Sequence, residues 1–225
     1  VRSIIVTGGF GVLGRAVAEA FRAQGDRVAR IDFAPTAPDA NPGGLDIGGV
    51  DLTDAAAAAR AVEQVVAAQG GVDVLVNVAG GFVWQTLDDG GPETWARMYA
   101  MNAVTCVTTT KAALPVLRAT AGAAIVNIGA GGAVVAAAGM GGYAASKAAV
   151  HKLTESLAAE LAGSDCTVNA VLPSIIDTPT NRADMPDADF AQWVKPASLA
   201  QVIAYLASPA ARAISGALIP VSRGG

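Results

Sequence analysis

Two rhythms of apolar residues alternate along the chain. Short, nearly unbroken apolar runs at 3–7, 27–32, 73–78, 123–128, 166–172 and 217–221 have the length and composition of strands buried on both faces. Between them, apolar and small residues recur at helical spacing over 12–24, about 54–69, 92–118, 142–162 and about 197–206. A further short strand is expected at 50–54, where Val50-Asp51-Leu52-Thr53-Asp54 meets a helix with Thr53 or Asp54 as its N-cap. Residues 34–49, rich in Pro, Gly and Asp, read as a surface connection. Beyond Pro173 a polar stretch runs to about Pro196, long for a loop in a compact domain. Its Met185, Phe190 and Trp193 favour a lid, placed at about 174–195. Strand follows helix without a break in composition, which predicts one α/β domain over 1–225.

Composition narrows the class. Of 225 residues, 52% are hydrophobic but only 5% aromatic, so alanine, glycine and valine fill the core and elements must pack closely. The net charge is −4 with scattered basic residues, which argues against a nucleic-acid surface. Cys106 and Cys166 lie in apolar surroundings without C-x-x-C spacing and read as small core residues in a reducing compartment. The single His151 forms no metal site alone and reads as an ordinary helix position; no metal is expected. Residues 119–146 carry no charge, yet seven glycines and Asn127 make them a poor membrane span. A buried strand and a glycine-rich loop account for them better. With no leader expected ahead of the first strand, the reading is of a soluble, cytoplasmic protein.

The first strand runs into Gly9-Phe10-Gly11-Val12-Leu13-Gly14, a full G-x-G-x-x-G between strand and helix. Glycine allows the tight turn and close backbone approach to a pyrophosphate, and the helix N-terminus favours its charge. Asp32 ends the second strand about 20 residues on, the position of a ribose-binding acid. A carboxylate there repels a 2′-phosphate, and Phe33 follows where a phosphate site would want arginine. NAD(H) is therefore expected over NADP(H), with Arg15 and Arg30 the residues able to reverse that preference. Asn77-Val78-Ala79-Gly80-Gly81 puts small residues at another strand's C-terminal end, where a cofactor lies close. Phe82 and Trp84 follow as candidates to line a substrate cleft.

Tyr143 and Lys147 stand one turn apart on a predicted helix. A cation about 5 Å from a phenol, at an effective dielectric of ~20, contributes roughly 3 kcal/mol, or about two pKa units. The lysine is thus expected to bring the tyrosine toward the range of general acid–base catalysis. Alone, Tyr-x-x-x-Lys occurs often by chance, and its ordinary reading is an interface tyrosine beside a solvated lysine; the rest of the chain decides. Asn102 falls within the predicted 92–118 helix, unfavourable unless solvated or hydrogen-bonded.

In order along the chain, the nucleotide turn, Asn77-Val78-Ala79-Gly80, Asn102 and Tyr143-x-x-x-Lys147 resemble the short-chain dehydrogenases/reductases, over essentially the whole length. The resemblance implies an NAD(P)-dependent oxidoreductase on a Rossmann-type doubly wound parallel sheet of order 3-2-1-4-5-6-7. It implies proton transfer by Tyr143, ribose binding and tyrosine activation by Lys147, and a relay water held by Asn102. Cofactor contacts would come from Gly8, Phe10, Gly11, Val12, Leu13, Gly14, Asp32, Phe33, Asp51, Leu52, Asn77, Ala79, Gly80, Pro173, Ile176 and Thr178, besides Tyr143 and Lys147. A small-molecule substrate and a homodimer or homotetramer are implied too, with the 142–162 helix and that around Asn102 at the interface.

Two departures refine the resemblance. The common turn is TGxxxGxG, but Val12 replaces its middle glycine and Gly11 carries that role one place earlier. The serine usual thirteen residues before the tyrosine is Ala130. Both features, with GMGGYAASKAAVH, LPSIIDTPTNR followed by MPDADFAQW, and SGALIP, resemble dihydropteridine reductases. That implies a quinonoid dihydropterin or a related conjugated acceptor, met by Ala130, Phe82, Trp84, Phe190 and Trp193. The match weakens between Phe82 and Ala119, and Asn102 follows the broader family. The alternatives are a carbonyl reductase or alcohol dehydrogenase, and a dinucleotide-sensing regulator; intact Tyr143, Lys147 and Asn102 argue against the last.

Overall fold

Ile4, Val6, Val28, Val74, Val76, Ala124 and Val126 belong to one buried cluster, and their neighbours Ile5, Ala29, Ile31, Leu75, Ile125 and Val168 to another. Alternate residues of each strand thus enter opposite layers, and both layers are apolar. That is why the strands read as unbroken apolar runs rather than as alternations. At roughly 1.5–3 kcal/mol per buried Val, Leu or Ile, neither face can be left to water, and helices cover both.

Residues 1–223 are described by a computed structural model. The strands are β1 (Ser3–Thr7), β2 (Arg27–Ile31), β3 (Leu45–Ile47), β4 (Val74–Asn77), β5 (Ala123–Ile128), β6 (Cys166–Pro173) and β7 (Leu218–Val221). They form one parallel sheet in the order β3-β2-β1-β4-β5-β6-β7, as the family resemblance implied. Helices α1 (Val12–Arg22) and α7 (Pro196–Leu206) pack together on one face. Helices α2 (Ala55–Gln69), α3 (Pro92–Tyr99), α4 (Thr105–Ala119) and α5 (Gly141–Glu160) pair on the other, α2 with α4 and α3 with α5. A short α6 (Pro179–Asp184) follows β6. No described helix is long and apolar enough to cross a membrane.

Three expectations need correction. The third strand lies at Leu45–Ile47, inside the segment read as a connection, and not at 50–54. Pairing decides this: Arg30 on β2 stands opposite Asp46 and binds its carboxylate at 2.7 and 2.8 Å. Residues 50–54 instead turn into α2, with Asp51 accepting from Thr53 and Asp54 capping through Ala56 N–H. Second, the 92–118 helix is broken by a π-helical stretch, Ala100–Val104, that contains Asn102. Third, the 174–195 segment is not structureless. Besides α6 it holds a 3-10 turn (Phe190–Gln192) and a parallel bridge between Ile176 and Val194. Trp193 is buried, with its ring 4.7 Å from that of Phe190 between centroids.

Candidate active site

The order 3-2-1-4 reverses direction between β1 and β4, and the crevice of an open α/β sheet lies outside the strand ends at such a point. Here the two turns touch. Gly8 has φ +60°, and a Cβ on it would meet the Ala79 backbone at 2.9 Å. Thr7 Oγ1 accepts hydrogen bonds from Val78 N–H and Ala79 N–H at 3.0 and 3.1 Å, stitching the strand ends together. A Cβ on Gly14 would collide with the Gly8 carbonyl, so the turn can only close with glycine there.

Past this turn α1 begins at Gly11 with no side-chain cap and no acid in its first turn. Its free N–H groups suit an anion, and the cradle therefore fits the pyrophosphate of a dinucleotide. Val12 and Leu13 are half-buried beside it, while Phe10 is buried under the Arg30 guanidinium, 5.5 Å from its ring centroid. Asp32 Oδ2 accepts from Phe10 N–H at 2.9 Å, which fixes the carboxylate at the turn. Arg30 is wholly buried between Asp39 and Asp46, each at 2.7 Å, so its charge is spent within the protein. Arg15 is half-exposed and 3.9 Å from Asp39. Phe33 and Asp51 are exposed, Leu52 is buried, and Pro173 is the buried last residue of β6. Ile176 makes the bridge to Val194, and Thr178 Oγ1 caps α6 through Asn181 N–H.

Asn77 is turned inward. Its amide donates to Thr110 Oγ1 and Asn127 Oδ1 at 3.0 and 2.9 Å; Asn127 in turn donates to Thr154, and its Oδ1 also accepts from Cys106 Sγ. Asn102 is likewise committed. Its Oδ1 accepts from Gly81 N–H, and its Nδ2 donates to the Gly81 carbonyl and to Ser146 Oγ, each at 3.0 Å. This clamp, set in the π-helical stretch, ties the β4 turn to α5. Single π turns of this kind recur at functional sites.

Tyr143 enters from the first turn of α5 with Phe82 edge-on against its ring, centroids 4.9 Å apart and planes at 87°. Burial pushes the phenol up to about 12, with no downward pull from Lys147; the expected lowering is absent. The lysine is engaged elsewhere. It is buried, its Nζ donates to the Ile128 carbonyl at 2.8 Å, and burial brings it down to about 8. Ala130, at the end of β5, is buried and presents a methyl where a hydroxyl was the family norm. Trp84 is exposed and serves the neighbouring loop: its Nε1 donates to the Ala138 carbonyl at 2.9 Å. Phe190 and Trp193 pair on the 174–195 segment.

One residue of this neighbourhood escaped the sequence reading. His151 is buried, and its Nε2 accepts from Ala130 N–H at 3.3 Å. Its spacing was the available signal, since residues 143, 147 and 151 follow one another at single-turn intervals along α5.

Residues 2–189 match the family model described as short chain dehydrogenase. The chain is 31% identical to the meso-2,3-butanediol dehydrogenase of Serratia marcescens, over 98% of this chain and 93% of the relative. It is 32% identical to the 3-oxoacyl-acyl-carrier-protein reductase MabA of Mycobacterium tuberculosis, over 99% and 92%. Among solved structures, a short chain dehydrogenase from Burkholderia cenocepacia in complex with NADP superposes with TM-score 0.89 at 33% identity, covering 99% of this chain and 96% of that one. The ligand-free aldohexose dehydrogenase of Thermoplasma acidophilum gives TM-score 0.91 at 27% identity, over 99% and 93%. With the sheet order, the glycine turn and these relatives in agreement, the chain belongs to the short-chain dehydrogenase family and is an NAD(P)-dependent oxidoreductase.

Proposed function

We propose that the enzyme works as a reductase in which Tyr143 is the one side-chain acid, acting on a conjugated, electron-poor acceptor of the quinonoid dihydropterin kind. The protonated phenol carries this reading. The Tyr143 hydroxyl, in the first turn of α5 and packed against Phe82, is protonated at neutral pH and so has a proton to give to a substrate taking up hydride. Burial, which raises its pKa, makes it a weak acid in the protein alone. Lys147, one turn along the helix and held by the Ile128 carbonyl, is cationic below about pH 8 and would serve the cofactor's ribose hydroxyls and not the phenol directly. Asn102 holds Gly81 and Ser146 in place around the pair. The residues Gly8 to Gly14 would hold the pyrophosphate, Asp32 the adenosine ribose, and Lys147 the nicotinamide ribose. Bound nicotinamide dinucleotide supplies the hydride.

The substrate class follows from the second donor that is missing. Ala130 offers none, and Ser146 already donates to the Tyr143 carbonyl at 2.7 Å while accepting from Asn102. Loss of one donor in an oxyanion site costs ~10²–10³ in rate, which an isolated ketone would feel in full. A conjugated ring spreads the incoming charge and needs one donor only. The dinucleotide is NADH, because Asp32 meets the 2′ position and Arg30 is already neutralised.

The second reading, a carbonyl reductase or alcohol dehydrogenase, is favoured by the activities named for the relatives. A panel of pterin, quinone, imine and ketone acceptors, scored by loss of NADH absorbance, separates the two. Ala130→Ser should leave quinonoid reduction intact and raise kcat/KM for ketones, while Tyr143→Phe abolishes both. Vigorous ketone reduction by the unaltered enzyme would overturn the first reading in favour of the second.

We also propose a homodimer or homotetramer. An apolar groove of about 440 Å³ lined by Trp95, Tyr99, Ala100, Val104, Gly142 and Ala145 runs between α3 and α5, and Trp95 and Tyr99 are exposed there. A monomeric mass by light scattering at micromolar concentration would refute this.

A further inference from the structure

His151 is the chain's only histidine, and the reaction described above does not use it. It lies one turn beyond Lys147 on α5, buried against the end of β5. The imidazole fits there because residue 129 has no side chain: a Cβ on Gly129 would sit 2.5 Å from Nε2 and 2.7 Å from Cδ2. Against that backbone, Nε2 accepts the Ala130 N–H at 3.3 Å. Ala130 and Ile128 are the two ends of the same short segment, and Ile128 O is the acceptor that holds Lys147. One helix therefore grips the end of β5 twice, by Lys147 as donor and by His151 as acceptor.

From this geometry we infer that His151 is a positioning residue for the substrate wall at Ala130, working only in the neutral form with its proton on Nδ1. Protonation places an N–H on Nε2, facing the N–H of Ala130. Two donors cannot share that contact, so the bond is lost and residues 129–131 move away from Tyr143. The surroundings keep the imidazole neutral. Burial lowers its pKa below the ordinary histidine value, and on α5 the Lys147 and Lys152 cations oppose its charge while Glu155 favours it. From the sheet side, Gly129 and Ala130 face it, and neither carries a titratable group. Turnover should accordingly fall on the acid side as His151 gains its second proton. Neither Tyr143, near 12, nor Lys147, near 8, produces a limb in that range.

The inference rests on Tyr143 and Ala130 bounding the reaction site as proposed, but its first test does not. Histidine-selective ¹⁵N NMR of the intact protein gives one unambiguous signal pair, expected to show Nδ1 protonated and Nε2 bare at neutral pH, with a titration midpoint below that of free histidine. Steady-state kinetics then compare two variants. His151→Leu, which leaves the Ala130 N–H without an acceptor, should lose roughly tenfold in kcat at neutral pH, and the difference from the unaltered enzyme should close on the acid side, where the unaltered enzyme has lost the same bond. His151→Gln, whose side-chain oxygen accepts but does not titrate, should restore most of that loss and abolish the acid limb. An Nε2-protonated tautomer at neutral pH, or an acid limb that persists in His151→Gln, would overturn the proposal. A correct tautomer together with an inactive pterin panel would instead fault the substrate assignment alone.

Discussion

Lys147 Nζ donates to the Ile128 carbonyl at 2.8 Å, the only hydrogen bond its ammonium makes among the described residues. A buried cation held by one neutral acceptor is poorly compensated, and its pKa falls from 10.5 to about 8. The unfolded chain keeps this proton to about 10.5, the folded chain only to about 8. Between those values the unfolded state binds more protons, so this group makes stability rise with pH. Below the window the full penalty stands, about 3 kcal/mol for a shift of that size. Lys147→Met should therefore gain stability over the unaltered protein at pH 7 and lose most of that advantage by pH 10. Urea unfolding at both pH values measures it; an advantage that does not change with pH would contradict the titration.

Asp32 and Arg30 bear on cofactor choice from opposite directions. With Asp32 fixed by Phe10 N–H and Arg30 enclosed by two carboxylates, the expected result is tighter binding of NADH than of NADPH. Asp32→Ala should narrow the gap by weakening NADH and admitting the phosphate. Fluorescence titration of both nucleotides decides it, and equal affinity in the unaltered protein would point to Arg15, free enough at 3.9 Å from Asp39 to swing toward a phosphate.

Asn102→Ala strips partners from Gly81 and Ser146 in a buried setting. A stability cost of about 1–3 kcal/mol follows from the orphaned groups. The loss in kcat should be larger, up to ~10²-fold, because the clamp sets the distance between the β4 turn and α5. Thermal melts and steady-state rates on the same sample test this. If melting drops while kcat holds, Asn102 supports the fold and not the site.

The 174–195 segment is proposed to act as a strap over bound cofactor, pivoting where Ile176 bridges Val194. Residues 185–187, between α6 and the Phe190 turn, are exposed and are the place for a protease to enter. Saturating NADH should slow cleavage there severalfold; an unchanged cleavage rate would rule the strap out.

The sheet, its helices and the glycine turn were legible because each rests on a local rule: apolar runs, helical spacing, glycine where a backbone must approach another. β3 was not, because three residues carry no period, and its place is set by Arg30 needing Asp46 across the sheet. The π-helical stretch was hidden for a similar reason, since the side-chain bonds that accompany it run from Asn102 to Gly81 and Ser146, far off in sequence. For Tyr143 and Lys147, spacing gave the pairing but not the charge state. Spacing conveys the attraction between them but not the burial of each, and burial is what lifts the phenol to about 12.

The inward-turned asparagines bear on how the sheet assembles. Thr7, Asn77, Asn127 and Ala170 stand side by side in β1, β4, β5 and β6, and everything beneath them in β4 and β5 is aliphatic. Valine against valine tolerates a slide of one residue; an amide does not, because the slide leaves it facing hydrocarbon without its partner. The Asn77–Asn127 contact, at 2.9 Å, should therefore act as an alignment mark that disfavours mispaired strands. Replacing both by valine should leave the helix and strand content unchanged yet yield several sets of amide signals in place of one, a loss of uniqueness without a loss of fold.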